Sequence, residues 1–456
     1  MPKHQLLVLG AGLSAPYLIR HLLDRAADLD ASVTVGDLDG EAARRRVADH
    51  PAGRAIPFDL ADAEACAREI GAADVVVSLL PPPLQPRVAK LCFEHGAHMV
   101  SASYRSAEME RLDGEARERG LTILCELGLD PGIDIMSAQR IIEDVHHRGG
   151  EIRAFASYGA GLPEPSFDGN PLRYCVTWNP RNVAMAGESG ACFLEDGAMR
   201  VVPYPRLFAH RWPVDVPGLG TLEAYANRDS LSYRDIHGLD RSVIRTLIRG
   251  TLRYPGYCRF WEHLVRLGLP NEHLRVPRLG QRSFRQLMAM FLPRPVADEG
   301  LEEAVADHLG LTVDDPVMVQ LDQLGFFSSD PIDIPGERLS DALVAQLGRR
   351  LPLPPGVRDM VLLHHEFEVV YSDEDRAEKI LSTFVHYGDG QPGGITAMAH
   401  GVGLPAALGV ELLLSGNLDR PGVVIPVTSD LYDPILDGMA GYGLSFEERV
   451  EPLPSP

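Results

Sequence analysis

The stretch Leu6-Leu7-Val8-Leu9-Gly10-Ala11-Gly12-Leu13-Ser14-Ala15 decides the fold of this chain. Its apolar part has the length of a buried strand, and an amphipathic segment from Ala15 to Leu29 follows it. The order of strand, tight turn and helix predicts the start of a βαβ unit. Gly10 permits the turn, Gly12 lets the main chain approach a pyrophosphate, and Ala15 keeps the helix close to the strand.

The turn and the helix that follows it together predict a dinucleotide-binding site. The N–H groups and the positive dipole end of a helix N-terminus suit an anion. A Gly-x-Gly-x-x-Ala pattern is common by chance, but here it opens a series of alternating strands and helices. We therefore expect residues of this turn to bind the cofactor, namely Gly10, Ala11, Gly12, Leu13 and Ser14.

The second predicted strand, Ser32 to Asp37, ends in an acidic residue that bears on the choice of cofactor. Asp37 lies about 25 residues after Gly12, near where an acid binds ribose hydroxyls and repels a 2′-phosphate. Asp39 is the alternative if the turn is shifted. One arginine of the run 44–46 would suit a 2′-phosphate, although such a run is more typical of a solvated helix face. The sequence thus favours NAD, with NADP as the alternative.

Strand and helix patterns keep alternating through the first third of the chain. Further predicted strands are 55–58, 73–81, 98–104 and 121–125. Continuous apolar strands between helices predict a parallel sheet that is covered on both faces. Ligands of such a sheet gather at the carboxyl ends of its strands. Leu80, Ser103, Tyr104 and the loop 126–132 all fall at these ends.

Beyond residue 150 the pattern changes. Residues 151–158 are predicted as a strand, and 159–165 as a loop because of their glycines and prolines. Residues 255–350 are mostly helical by period, and 360–371 and 377–386 alternate like the strands of a hairpin. His364-His365-Glu366 lacks the i, i+4 histidine pair of a metalloprotease helix and lies in a predicted strand, so we expect no metal site.

Composition limits the kinds of partner that this chain can have. The net charge of −21 argues against nucleic acid and against anionic membranes. Six cysteines are scattered without a CxxC pair, which is typical of reduced thiols in a cytoplasmic protein. The N-terminus enters a strand directly, so no signal peptide is expected. No apolar run approaches the roughly 20 residues of a membrane helix.

Several longer motifs follow one another along the chain. They are 78–81 (Ser-Leu-Leu-Pro), 101–104 (Ser-Ala-Ser-Tyr), 126–134 (Glu-Leu-Gly-Leu-Asp-Pro-Gly-Ile-Asp), 170–174 (Asn-Pro-Leu-Arg-Tyr), 225–230, 249–254, 359–361 and 400–405. Through these segments the sequence resembles the L-glutamate-forming saccharopine dehydrogenases, also called saccharopine reductases, over nearly its whole length. The resemblance implies an α/β protein with a Rossmann-type domain over 1–132. A substrate domain over 133–392 would carry a helical insertion at about 255–350, and 393–456 would return to the nucleotide domain.

The resemblance also implies an activity and a set of site residues. The reaction would interconvert saccharopine with L-glutamate and 2-aminoadipate 6-semialdehyde in lysine metabolism, using NAD or NADP. The residues implied along the cofactor are Leu80, Ala102, Leu129 and Asp130. Those implied around the substrate are Ser103, Tyr104, Asp130, Arg228, Thr251, Leu252 and Arg253. Asp130 and Tyr104 are the catalytic candidates, and Asp130 has the alternative role of pairing with the substrate ammonium.

The chemistry of the substrate agrees with these residue types. Saccharopine is a secondary amine with three carboxylates, and the planar, permanently charged guanidinium suits carboxylates better than lysine does. Arg228 and Arg253 are the main candidates and Arg173 a third, with surface or interdomain ion pairing as the alternative for each. Relatives often have a cysteine where this chain has Gly159, which leaves the acid–base group open.

Two other functions remain open at this point. One is a carboxy-polyamine dehydrogenase acting on a related imine, which would need more acids and fewer arginines around its substrate. The other is a non-catalytic dinucleotide-binding scaffold. For a saccharopine dehydrogenase and for a carboxy-polyamine dehydrogenase alike, the expected partner is a small molecule with carboxylates. A homodimer is the default assembly.

Overall fold

A computed structural model describes residues 2–371 and 376–454 of the chain. These residues form two compact units. The first comprises Met1–Glu151, Phe384–Asp389 and Gly393–Glu447, and the second comprises Ile152–Thr383, Gly390–Pro392 and Glu448–Pro456. The predicted boundary at residue 132 therefore lies inside the first unit, since the helix after it belongs there too.

The first unit is built on a seven-stranded sheet. Its strands are β1 (His4–Leu9), β2 (Ala31–Asp37), β3 (Gly53–Pro57), β4 (Val75–Ser78), β5 (His98–Ser101), β6 (Thr122–Leu124) and β16 (Gly422–Val424). They are ordered β16-β6-β5-β4-β1-β2-β3, and every neighbouring pair is parallel. The order 3-2-1-4-5-6 is that of a Rossmann-type sheet, so the predicted fold is confirmed.

Helices cover this sheet. They are α1 (Pro16–Asp24), α2 (Gly40–Val47), α3 (Ala63–Ile70), α4 (Gln85–His95), α5 (Ala107–Glu110), α6 (Asp113–Glu118), α7 (Ile133–His147), α15 (Ala397–Leu414) and α16 (Ser429–Gly441). Among the described residues, α15 is long and apolar enough to span a membrane, but 61% of it is buried. It packs against α1, β4 and β5, so it serves as a core helix of this unit.

The second unit contains most of a ten-stranded mixed sheet. Its strands are β7 (Glu151–Pro163), β8 (Ala191–Glu195), β9 (Ala198–Val202), β10 (Arg211–Val216), β11 (Gly220–Ala226), β12 (Arg228–Asp229), β13 (Thr246–Arg253), β14 (Asp359–Tyr371), β15 (Arg376–Tyr387) and β17 (Glu447–Leu453). The main path runs β10-β11-β13-β7-β14-β15-β17, and β8, β9 and β12 form a side branch. β14 and β15 are neighbours, as predicted for a hairpin, and the residues 372–375 between them lie outside the described part.

The remaining helices belong to the second unit. They are α8 (Pro180–Ala184), α9 (Ser232–Ile236), α10 (Tyr257–Leu267), α11 (Phe284–Met290), α12 (Leu301–Leu309), α13 (Pro316–Gln323) and α14 (Leu339–Arg350). The helices α10 to α14 lie between β13 and β14 in the chain, at residues 257–350. Fully buried aromatic side chains, among them Trp261, Phe260 and Phe326, fill the core of this helical segment.

The loop predicted for residues 159–165 is wrong over its first part. β7 continues to Pro163, and Gly159 pairs with Thr251 of β13 in a parallel ladder. Leu162 is only 1% exposed, so burial of this strand outweighs the local preference of glycine. Pro163 is the last residue of the strand, where a missing N–H costs the ladder little.

Candidate functional site

The glycine turn lies between β1 and α1, as predicted. Gly10 has a φ of 105°, which favours glycine, and its N–H donates to Gly36 O at 2.8 Å. A Cβ at Gly10 would lie 3.4 Å from the main chain of Leu79. The turn therefore places the N-terminus of α1 at the carboxyl ends of β1 and β4.

The residues of the turn fit a dinucleotide pyrophosphate. A Cβ built at Gly12 would meet no heavy atom within 4 Å, and Leu13 is 52% exposed. Ala15, which precedes α1, makes no side-chain cap hydrogen bond to the first turn of the helix. Open space beside main-chain N–H groups is what an incoming phosphate requires.

Asp37 and Asp39 have different roles in the structure. Asp37 Oδ2 accepts a hydrogen bond from the Ala11 N–H of the turn at 2.7 Å. Its Oδ1 accepts from the Asp39 N–H at 2.9 Å. The Asp39 side chain instead caps α2 by accepting from the Glu41 N–H at 3.0 Å. Of the two acids, Asp37 is the one that contacts the cofactor turn.

The arginine run 44–46 does not behave as one solvated face. Arg44 and Arg45 are exposed and pair with Glu41 and Asp39 respectively. Arg46 is half-buried, and its Nε and Nη2 donate to the carbonyl oxygens of Ala11 and Gly12 at 3.2 and 3.3 Å. The prediction is therefore wrong for Arg46. The signal that was missed is the position of Arg46 on the helix. Arg46 is next to Val47 and three residues after Ala43, and the side chains of Val47 and Ala43 are both buried.

The two catalytic candidates are in contact. The Tyr104 hydroxyl donates to Asp130 Oδ1 at 2.8 Å, and both side chains are partly exposed. Tyr104 follows β5 and Asp130 follows β6, so both lie at the carboxyl edge of the sheet. This is the edge at which the glycine turn also lies.

The loop that carries Asp130 is held by main-chain bonds to the segment after β5. The N–H groups of Glu126 and Leu127 donate to Ser103 O and Ser101 O, each at 3.0 Å. Glu126 is 4% exposed, and its Oε1 accepts from the Arg105 N–H at 2.8 Å. No role is predicted for Glu126 from the sequence, although a charged residue directly after a buried strand is a usable signal.

The other residues implied along the cofactor lie at the same edge. Leu80 follows β4 and is partly exposed, and its carbonyl accepts from Gln85 Nε2 at 2.6 Å. Ala102 follows β5 and is partly exposed, whereas the Leu129 side chain is only 6% exposed. Leu129 thus offers a cofactor mainly its main chain.

Arg253 in the second unit is enclosed by aromatic rings. It is 5% exposed, and its guanidinium carbon lies 5.0, 5.1 and 5.9 Å from the ring centres of Tyr174, Tyr257 and Tyr225. Its Nη1 donates to Leu252 O at 2.8 Å. Among the described residues no carboxylate forms an ion pair with it, and its buried Nε has no hydrogen-bond partner there. The rings compensate part of the cost of burying this charge.

The remaining implied substrate residues differ in their exposure. Thr251 and Ser103 are partly exposed, and Arg228 is exposed with a φ of 56°. The Leu252 side chain is fully buried and points to the opposite sheet face from its neighbours Thr251 and Arg253, so it can offer a ligand only its main chain.

Arg173 has an internal role. It donates to the carbonyl oxygens of Phe167 and Pro165 and lies 4.0 Å from the ring centre of Tyr254. These contacts favour the alternative of a structural arginine over a carboxylate ligand. The histidines of the 364–366 segment are also internal, since both are fully buried and His364 Nδ1 is bonded to Thr383 Oγ1 at 2.8 Å.

A Rossmann-type sheet with a glycine turn, an acid after β2 and a Tyr–Asp pair at its carboxyl edge defines a dinucleotide-dependent oxidoreductase. Comparisons with known proteins make this specific. Residues 6–124 match the model of the saccharopine dehydrogenase NADP binding domain, and residues 128–444 match that of the saccharopine dehydrogenase C-terminal domain.

Individual relatives agree with these family models. Saccharopine dehydrogenase [NADP(+), L-glutamate-forming] of Pyricularia oryzae is 32% identical over 99% of this chain and 100% of the relative. Alpha-aminoadipic semialdehyde synthase of Arabidopsis thaliana is 34% identical over 94% of this chain, which spans only 41% of that relative. The apo structure of the L-Glu-forming saccharopine dehydrogenase of Saccharomyces cerevisiae matches with a TM-score of 0.85 and 30% identity, over 98% of this chain and 100% of that one.

The chain belongs to the saccharopine dehydrogenase family, and its cofactor is a nicotinamide dinucleotide. The predicted family is thus confirmed. The individual site residues, the homodimer and the cytoplasmic location stay predictions.

Proposed function

We propose that this protein oxidises saccharopine with NAD to L-glutamate and 2-aminoadipate 6-semialdehyde, and catalyses the reverse reductive condensation. In the forward direction saccharopine, NAD⁺ and water give the two products, NADH and a proton. The names of the full-length fungal relatives support the substrate.

The observation that carries the proposal is the buried guanidinium of Arg253 without a carboxylate partner in the described residues. A buried charge needs a counter-charge, because leaving it unpaired costs several kcal/mol. A substrate with three carboxylates supplies such a counter-charge, whereas a diamine-derived substrate has fewer carboxylates. Arg228, which is exposed in the same unit, is proposed to bind a second carboxylate.

Tyr104 and Asp130 are proposed to handle the protons of the reaction. The substrate amine is a cation at neutral pH, so the Asp130 carboxylate suits it electrostatically, and the Tyr104 hydroxyl holds one oxygen of that carboxylate in place. A proton must leave the amine before the carbon–nitrogen bond is oxidised to the imine, and Asp130 is proposed to accept it. A bound nicotinamide supplies the hydride acceptor. After Asp130 has released that proton to solvent, water adds to the imine carbon, and the Tyr104–Asp130 pair is proposed to carry a proton from that water to the departing nitrogen.

The preference for NAD is also part of the proposal. Asp37 places a carboxylate beside the glycine turn at the end of β2, where it would hydrogen-bond ribose hydroxyls and repel a 2′-phosphate. The three arginines of α2 are already bonded to Glu41, Asp39 and the turn carbonyls. The Pyricularia relative is named for NADP(+), so the two cofactors need a direct comparison on this chain.

The test is the change in absorbance at 340 nm when purified protein is mixed with saccharopine and either NAD or NADP. We expect saccharopine-dependent reduction, with the larger kcat/KM for NAD. Turnover of a carboxy-polyamine without turnover of saccharopine would reject the substrate. Binding of NAD with no turnover of either compound would instead favour the non-catalytic scaffold.

A further inference from the structure

One charged side chain in the first unit has contacts that the proposed reaction does not explain. Arg46 lies in the last turn of α2, yet its guanidinium reaches the glycine turn between β1 and α1. It donates to two successive carbonyl oxygens, those of Ala11 and Gly12. Asp37 accepts from the N–H of the same Ala11 at 2.7 Å. Residue 11 is therefore held through its N–H by a carboxylate and through its carbonyl by a guanidinium.

These bonds matter because of where the carbonyl groups lie. A pyrophosphate binds beside the N–H groups of such a turn, and carbonyl oxygens close to it would repel the anion. Within the described part of the chain, the Gly12 carbonyl otherwise accepts a hydrogen bond only from the Ala15 N–H, at a long 3.4 Å. A guanidinium on both carbonyls offsets their negative ends and adds a fixed positive charge. This is significant in a protein whose net charge is −21.

We infer that Arg46 is a positioning residue for the cofactor pyrophosphate, acting by fixing the turn carbonyls and by supplying positive charge at the turn. This rests on the dinucleotide binding of the family and is independent of the substrate proposed above. A ligand of the 2′-phosphate would affect the binding of NADP alone. The positioning role of Arg46 instead predicts an equal effect on the binding of NAD and of NADP.

The chain offers a matched control. Arg44 lies on the same helix, carries the same charge and pairs with Glu41 on the surface. Arg46→Gln removes the charge of Arg46 but retains donors for a carbonyl, Arg46→Lys retains the charge, and Arg44→Gln removes an equal charge away from the turn. Comparing the three variants distinguishes the effect of charge at the turn from the effect of net charge and from unfolding of the protein.

The experiment measures the Kd of NAD, NADP and ADP-ribose by calorimetry with each variant, at low and at physiological ionic strength. For Arg46→Gln we expect an approximately tenfold weaker Kd for all three ligands and a smaller dependence on salt, because one fixed charge is lost. Arg46→Lys is expected to recover at least half of that effect on a logarithmic scale. Arg44→Gln is expected to stay within about twofold of the unmodified protein.

Three results would overturn the inference. They are an unchanged Kd in Arg46→Gln, an equal loss in Arg44→Gln, and a loss for NADP alone, which would make Arg46 a 2′-phosphate ligand. If Arg46→Gln does not fold, Arg46→Lys decides the question, because a Kd that weakens about tenfold although the charge is retained would indicate a purely structural role, and a Kd within about threefold would support the inference. Saccharopine turnover is measured separately, so failure of the proposed reaction does not affect this result.

Discussion

The hydroxyl of Tyr104 donates a hydrogen bond to Oδ1 of Asp130 at 2.8 Å. The two residues come from loops that follow neighbouring parallel strands, and the bond joins them at the edge where the cofactor turn lies. The loop of Asp130 is itself fixed to the segment after β5 by the N–H groups of Glu126 and Leu127. Asp130 is therefore oriented from two sides before any ligand binds, which favours proton transfer in a defined geometry.

Tyr104→Phe removes this hydrogen bond and keeps the ring. We expect kcat for saccharopine oxidation to fall about 100-fold, within the range typical of a lost acid–base contribution, while the Kd of NAD stays within about twofold. Steady-state kinetics and a binding titration measure the two quantities. Tyr442→Phe, at an exposed tyrosine of the same unit, is the control and should leave both unchanged. An unaltered kcat in Tyr104→Phe would remove Tyr104 from the catalytic machinery.

Arg253→Lys tests the proposed carboxylate site. Lysine keeps the charge but loses the planar pair of donors, so we expect the Kd of saccharopine to weaken at least about 30-fold. Arg173→Lys is the comparison, because the Arg173 guanidinium is bonded to main-chain carbonyls and should matter for folding and not for saccharopine affinity. Calorimetry gives the affinities. Equal affinities in the unmodified protein and in Arg253→Lys would show that Arg253 does not bind the substrate.

The sequence predicts the first unit better than the second, for a physical reason. The pattern around Gly10 and Gly12 is local, and parallel strands buried on both faces are continuous apolar runs, so both can be recognised in a short window. The enclosure of Arg253 depends on Tyr174, Tyr225 and Tyr257, which are far apart from one another in the chain and come together only when the second unit folds. The extension of β7 through Gly159 likewise depends on its pairing partner Thr251.

Substitution by alanine should affect stability at one glycine of the first unit and NAD binding at another. At Gly132, with a φ of 146°, an added Cβ would lie 2.1 Å from Gly128 O, so Gly132→Ala is expected to destabilise the unit by more than about 2 kcal/mol. At Gly12 an added Cβ meets nothing within 4 Å. Gly12→Ala should therefore fold with unchanged stability, within about 1 kcal/mol, yet bind NAD at least about 10-fold more weakly because the methyl group occupies the space of the phosphate.

Thermal unfolding and NAD titration of both glycine variants check these expectations. A Gly12→Ala protein that binds NAD normally would contradict the assignment of this turn to the pyrophosphate. A Gly132→Ala protein of normal stability would mean that the loop carrying Asp130 is free to rearrange.

Asp37→Asn tests the choice of cofactor. The substitution removes the negative charge and keeps an oxygen that can accept from the Ala11 N–H, so the turn should be preserved. We expect the ratio of kcat/KM for NAD to that for NADP to fall at least about 10-fold, because the repulsion of the 2′-phosphate is lost. Asp39→Asn is the control, since Asp39 caps α2 and accepts from the Glu41 N–H. A ratio that does not change in Asp37→Asn would refute the argument for NAD.

The stability of the second unit should depend on pH through two buried histidines. Burial, with the charges of His364 and His237, lowers the pKa of His365 to about 3, and burial with Arg249 lowers the pKa of His237 to about 3. Well above pH 6.5 both side chains are neutral in either state, so their full contribution to stability is present there. Between pH 6.5 and 3 the unfolded chain binds protons that the folded chain does not, and the free energy of unfolding falls as the pH is lowered.

Each of these histidines contributes a slope of up to about 1.4 kcal/mol per pH unit, and His365→Gln should remove one such contribution. Urea unfolding followed by tryptophan fluorescence between pH 7.5 and 4 measures the slope, and it reports on the second unit because Trp178, Trp212 and Trp261 all lie within it. His273→Gln, at an exposed histidine of the same unit, should keep the original slope. If His365→Gln also keeps that slope, His365 is not a source of the acid sensitivity of this unit.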